Sequence, residues 1–256
     1  MALRRKRVVT GSAGTTLLEM LFAMTMFAIV FAAILLLFVT CANSYNNDSG
    51  RDQVNGSALM ASQYMESDLR NASEVEAAYG GVSTGSSAIV LKVPSYNASG
   101  VIGGEYDQII YKITGQSGLT RTTVPSAGSL RTSETDRVID PNVDSLDFVY
   151  TVHDFFVGDG TTTTFTLAAA WSSAPACRVG GVPTTGVTYD SASDSASLPT
   201  APAAGTQVEF VYTIDPANTA ALPAVSQVDC NISAQSSPAL SGSEQVRATA
   251  RLRNKT

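Results

Sequence analysis

Hydrophobic positions fall into three regimes along this chain. From Met20 to Val39 they are continuous: no residue is charged, and Thr25 is the only polar side chain. As a helix this run is about 30 Å long, the thickness of a bilayer's hydrocarbon core. Between residues 54 and 72 the apolar positions recur at steps of three and four, at Val54, Ala58, Ala61, Met65, Leu69 and Ala72. Arg51, Asp52, Gln63, Glu66, Asp68 and Arg70 lie between them, the pattern of an amphipathic helix. Further on, short runs alternate as strands do: 88–93, 105–113, 118–124, 144–152, 226–234 and 244–252. Leu146, Phe148 and Tyr150 share one face of the fourth run, and Gly115-Gln-Ser-Gly118 reads as a hairpin turn. The polar stretch 125–137 reads as a loop. The pattern predicts one long helix over 15–78, loosened by the poor helix formers of 43–50 and stopped by Gly80-Gly81. Antiparallel strands follow it, so the fold class is α+β, with the helix laid on a sheet.

Charge changes the reading of the first regime. Four of the sixteen Lys and Arg residues are Arg4-Arg5-Lys6-Arg7, ahead of the apolar run, so the N-terminus is expected inside and everything after about residue 42 outside. One carboxylate, Glu19, stands at the head of the run. An ionised group there costs at least about 2.5 kcal/mol on insertion scales, so it needs a cationic partner. A cut after Gly14 would create one, the α-amino group of Thr15, on the same chain or on a neighbour. Three other readings of the stretch stay open. A secretory signal has a shorter apolar region, about 7–15 residues. A lipoprotein signal at Cys41 is opposed by the bulky residues of Phe38-Val39-Thr40. The third is a plain membrane anchor.

Basic leader, Gly14, Glu19 five residues further on and the apolar run together resemble the N-terminal signal of type IV pilins and pseudopilins. The resemblance implies that 1–14 is a leader removed by a prepilin peptidase and that Thr15 is the N-methylated mature N-terminus. It also implies that Glu19 neutralises the N-terminus of an adjacent subunit during assembly. Thr15 departs from the Phe usual in the family. Residues 15–42 are then the transmembrane and assembly half of the helix, and 43–152 with 222–256 a pilin-like globular domain. Met65–Ala72, the strand pair 109–124 and Val246–Asn254 look most like a J-type minor pseudopilin of type II secretion, and fit a minor pilin of a pilus or DNA-uptake system as well. The partners so implied are the prepilin peptidase, other pilin or pseudopilin subunits, an inner-membrane assembly platform and membrane lipid before assembly. The implied location is the inner membrane, single-pass, with the C-terminal domain periplasmic or extracellular.

Residues 153–221 break the pilin-like pattern. Asp154–Leu167, Cys177–Val182 and Pro202–Tyr212 resemble short-stranded β modules of phage tail and surface fibre proteins. The segment reads as an inserted all-β module entered from the strand ending at Val152, with that strand and 226–234 left as sheet neighbours. An elaborated loop of the same domain is the other reading. A membrane-anchored surface binder, with its function in 153–221 and no fibre assembly, is the alternative to the pilin-like subunit.

Composition adds exclusions. Losing residues 4–7 takes the side-chain charge from −6 to −10, and an acidic exported domain is a poor partner for nucleic acid. Of three cysteines, Cys177 and Cys230 are the candidate disulfide, with two free buried thiols as the other reading. The single histidine, His153, has no Cys or carboxylate set at ligand spacing and reads as structural. Asp154, Asp159 and Gly160 miss the calcium-loop spacing and read as a turn. Arg121, Arg247, Arg251 and Arg253 read as solvated or paired. No nucleophile, phosphate-binding or metalloprotease motif occurs, so no catalytic or metal residue, no cofactor and no enzymatic activity is assigned.

Overall fold

Helix α1 runs from Leu17 to Asn71 in a computed structural model that describes residues 16–235 and 243–252. The chain divides into two compact units, Met1–Ser49 and Gly50–Thr256. Residues 43–50 stay helical. Apart from Gly50, which costs about 1 kcal/mol, their poor propensities cost only about tenths of a kcal/mol each, and the segment contains no proline. The helix stops earlier than expected. Ala72 N–H donates to the Leu69 carbonyl, and Ser73 N–H donates at 2.8 Å to the Lys92 carbonyl. The chain thereby enters strand β1 (Glu74–Glu76). Gly80-Gly81 is not the helix stop. With φ of 58° and 82°, the pair forms the turn between β2 (Ala78–Tyr79) and β3 (Val82–Ser83).

In the second unit the apolar stripe of α1 is buried as its spacing predicts. Val54, Ala58, Ala61, Met65 and Leu69 enter one core with the strands, and Ala72 joins them just past the helix end. Strands β4 (Ala88–Asn97), β5 (Gly100–Ile113), β6 (Leu119–Val124) and β7 (Glu134–Asp140) follow in chain order. With β1 they form a five-stranded antiparallel sheet in the order β1-β4-β5-β6-β7. Most of β7 lies in or next to the stretch read as a loop. It is an edge strand with Thr135, Asp136 and Arg137 all exposed, so it carries no alternation to detect. Its register on β6 is irregular, and Asp136 has φ of 46°. Bonds to Thr122 and Lys112 hold that residue in place.

The helix is tied to this sheet by a partly buried polar cluster. Asp68 accepts from Tyr111 Oη at 2.6 Å and from Arg121 Nε at 2.8 Å, and Arg121 Nη1 reaches Glu134 at 2.6 Å. Arg121 is thus paired, as expected. Burial alone would lower its pKa, but Asp68 wins and raises it. A second cluster straps the loop before β7 to the sheet. Asp107, fully buried, accepts from Ser95, the Ser126 amide and Ser129, with Arg131 at 3.5 Å.

The second sheet begins with β8 (Val143–Val157), which runs unbroken through the expected module junction at 153. An excursion follows, made of β9 (Thr164–Thr166), β10 (Ala176–Val179), β11 (Val182–Pro183), β12 (Thr188–Asp190) and β13 (Ser195–Ser197). The chain returns in β14 (Gln207–Ile214), which pairs along β8 from Gln207↔Val157 to Ile214↔Tyr150. Strand β15 (Gln227–Gln235) pairs with the other side of β8, and β16 (Ser243–Arg251) lies beyond it. The sheet order is β11-β10-β14-β8-β15-β16, so the strand at 144–152 and the one at 226–234 are indeed neighbours. Part of the expected module, β10, β11 and β14, extends this sheet. The rest is a small sheet, β12-β13-β9, packed through Phe165 against Phe156 and Phe210. Gly158 closes the base of the excursion, where a Cβ would meet the Ala203 carbonyl at 2.6 Å.

Cys177 and Cys230 are not bridged; both are free and buried. Cys177 is on β10 and Cys230 on β15, with β14 and β8 between them. Three strand spacings of about 4.8 Å put these strands about 14 Å apart, and the register offsets the two cysteines further, Cys177 lying level with Asp154 of β8 and Cys230 with Phe148, whereas a disulfide needs Cα atoms within about 7 Å. Burial pushes the Cys230 thiol up to about 12, with Asp147 adding to it.

Candidate functional site

Of the segment singled out by sequence, residues 14–39 continuing to 42, everything from Leu17 on is helical. It holds the one helix, among the described residues, that is long and apolar enough to cross a membrane. None of the side chains of its apolar window is buried in the protein. Leu21, Phe22, Ile29, Ile34 and Leu37 are exposed in every direction around the axis. A helix that is apolar all round has no polar face to give to water and must be covered by something other than its own chain. The two threonine hydroxyls between Leu17 and Cys41 are satisfied internally. Thr25 Oγ1 donates to the Phe22 carbonyl at 2.9 Å and Thr40 Oγ1 to the Leu36 carbonyl at 2.8 Å. That arrangement leaves no hydroxyl donor facing outward, as a hydrocarbon environment requires.

At the head of the helix, Thr16 and Glu19 bond reciprocally. Glu19 N–H donates to Thr16 Oγ1 at 3.3 Å, and Thr16 N–H donates to Glu19 Oε2 at 2.9 Å. Met20 N–H donates to the Thr16 carbonyl at 3.2 Å, the first helical bond. This is a capping box, with Thr16 as N-cap and Glu19 at the third helical position. The carboxylate sits at the positive end of the helix dipole. Sequence reasoning missed Thr16, although Thr16-Leu17-Leu18-Glu19 carries the T-x-x-E signature in plain view. Gly14 and Thr15, the expected cleavage and methylation positions, lie outside the described residues.

The magnitudes show how far the box goes. Such a cap stabilises a helix by about 0.5–2 kcal/mol. A carboxylate held within hydrocarbon costs about 2.5–3.5 kcal/mol on insertion scales. In such surroundings the box offsets only part of the cost of Glu19, and the remainder calls for a cationic partner.

Several of the other residues considered from sequence have partners, and Arg253 lies outside the described residues. Asp159 accepts from the Thr162 hydroxyl and from the amides of Thr162 and Thr161, which holds its carboxyl well below the usual range and makes it a turn residue. Asp154 accepts from Tyr212 Oη at 2.8 Å and the Ala168 amide. Arg247 pairs with Asp229. His153 Nδ1 lies 2.9 Å from Glu209 Oε1, a partner 56 residues away that sequence spacing could not reveal. Among the described residues, no three His, Cys, Asp or Glu side chains gather as a metal site.

No family model matches the chain, and neither the curated proteins nor the solved structures hold a significant match to it.

Proposed function

We propose that this chain is a pilin-like subunit. It waits in the inner membrane on its apolar helix, with the N-terminus cytoplasmic and residues 50–256 outside. A prepilin peptidase removes residues 1–14, and Thr15 becomes the N-methylated terminus. An inner-membrane assembly platform then moves the subunit into a type II secretion pseudopilus or a type IV pilus-like fibre. It serves there as a minor subunit near the tip, displaying the excursion after β8. The observation that carries this reading is Glu19: one carboxylate in a capping box, at the head of a 20-residue run without a charge (Met20–Val39).

In this reading the helix leaves lipid for a bundle of other subunits' helices. The capping box aims the carboxylate back at the start of the chain. The new α-ammonium group lies one residue before Thr16, so a neighbour's terminus docking at the same level brings a second cation. At low dielectric an unpaired buried charge is strongly penalised, so the pairing sets the axial register of one subunit on the next. The protein is a structural component, and no catalytic step is assigned to it.

Glu19→Gln tests the pairing directly, because glutamine preserves a capping box and removes the charge. Cleavage and membrane insertion are expected to persist in both Glu19→Gln and Glu19→Ala. Incorporation into fibres is expected to fall at least about tenfold in both, the effect of losing about 1.4 kcal/mol. Wild-type incorporation of Glu19→Gln would assign Glu19 to helix capping alone.

A further inference from the structure

Strand β15 begins at Gln227, opposite Thr151, whereas β8 continues to Val157. Beyond Thr151, β8 keeps β14 on one side and has no strand on the other among the described residues. The His153 N–H on that open side donates instead to Ser226 Oγ at 2.9 Å. This step in the sheet opens a groove of about 420 Å³, lined by Thr151, His153, Arg178, Val211, Thr213 and Gln227. Ser173 closes one wall, with its hydroxyl 2.8 Å from Thr213 Oγ1.

The chain's only histidine is therefore a groove residue. Glu209 holds its Nδ1 at 2.9 Å, and the other carboxylate oxygen of Glu209 lies 3.6 Å from Arg178 Nη1. No other hydrogen bond to the ring forms among the described residues, so Nε2 keeps its capacity for a ligand. Cross-strand register places Phe155, Glu209 and Arg178 in one row and His153, Val211 and Ala176 in the next. Phe155 does not line the groove but stacks beside the His153 ring at 6.3 Å and is 45% exposed.

The chemistry of the groove selects its occupant. Arg178 and Glu209 cancel each other, which disfavours a free anion and a free cation alike. Around them stand uncharged donors and acceptors: two threonine hydroxyls, a serine hydroxyl and the Gln227 amide. Between these lie the apolar side chains of Val211 and Ala176, with Phe155 beside them. Alternating hydroxyl-binding and C–H-binding surface, with an aromatic at the edge, complements a pyranose ring. We propose that this groove binds a neutral oligosaccharide. His153 Nε2 and the Arg178–Glu209 pair bond its hydroxyls, and Phe155 covers a ring face. The site belongs to Gly50–Thr256 and stands whether or not the chain assembles into a fibre.

His153 supplies its own reporter, a single imidazole resonance in the whole chain. The full-length protein, ¹³C-labelled at histidine in a detergent without a sugar headgroup, is titrated with maltotriose, cellotriose, mannotriose and triacetylchitotriose, and with digalacturonate as the charged control. The expected result is a saturable His153 shift with at least one neutral trisaccharide and a weaker response to digalacturonate. Phe155→Ala, at an exposed position that leaves the core intact, is expected to weaken the binding about tenfold. No saturable shift with any neutral sugar, an equal response to digalacturonate, or unchanged affinity in Phe155→Ala would each overturn the proposal.

Discussion

The two halves of helix α1 obey opposite rules while sharing one secondary structure. From Leu17 to Cys41 every side chain is exposed, and the sequence is apolar on all sides. From Gly50 to Asn71 a single stripe is buried, and the rest is mostly polar or charged, with Leu59, Met60 and Tyr64 exposed among them. Serine and threonine hydroxyls return to the backbone in both halves, at Thr25 and Thr40 in the first and at Ser57 and Ser62 in the second. Backbone geometry therefore does not distinguish them; the surroundings each sequence demands do. The second half is made for a protein core, with Ala58 and Ala61 small enough to let strands approach. The first half is made for an environment its own chain does not supply.

Substitutions of similar chemistry should separate the halves. Leu69→Ala, at a fully buried position, is expected to lower the stability of residues 50–256 by about 2–5 kcal/mol. Leu36→Ala, 74% exposed, should stay within about 0.5 kcal/mol. Urea unfolding of the detergent-solubilised protein, followed by near-ultraviolet circular dichroism, reads both. Equal effects would break the contrast.

Acid gives a smaller effect with a defined sign. Burial pushes the Asp107 carboxyl up, but the Ser126 amide, the Ser95 and Ser129 hydroxyls and Arg131 outweigh it and hold the carboxyl below its ordinary value. Glu134 is lowered as well: burial raises it, and Arg137 and Arg121 win. A depressed carboxyl contributes stability above its unfolded pKa and loses it as pH falls through its folded pKa. Residues 50–256 should therefore lose melting temperature as pH drops below the ordinary carboxylate range. Asp107→Asn should show a shallower acid slope, whereas an unchanged slope would remove Asp107 from the account. The apolar half contains no such network, so its helical signal should outlast the near-ultraviolet signal.

Much of this architecture was legible in the sequence, because burial leaves a period. The stripe from Val54 to Ala72 and the alternation of Leu146, Phe148 and Tyr150 both mark faces that are in fact buried. What escaped has no period or depends on distant partners. Strand β7 is an exposed edge, so hydrophobicity could not mark it. The helix ends at Asn71 because the next residues pair with β4, and the glycines at 80 and 81 belong to a hairpin. The change in residue pattern predicts a break at 153, yet β8 crosses it, with Phe155 and Val157 left exposed on an ordinary strand. At the helix head, Glu19 was found by its misplaced charge, while its partner Thr16 was overlooked in a recognisable T-x-x-E motif. The His153–Glu209 pair joins strands far apart in sequence and became visible only with the sheet register.

The central claim is that the first half of α1 is a pilin-type segment, and the N-terminus of the protein taken from its own cell membrane tests it most directly. Intact mass with N-terminal sequencing should find a chain beginning at Thr15, heavier by one methyl group on the α-nitrogen. A chain beginning at Met1 or Ala2 would leave a plain anchor, and one beginning near Asn43 a cleaved signal; either result would contradict the account.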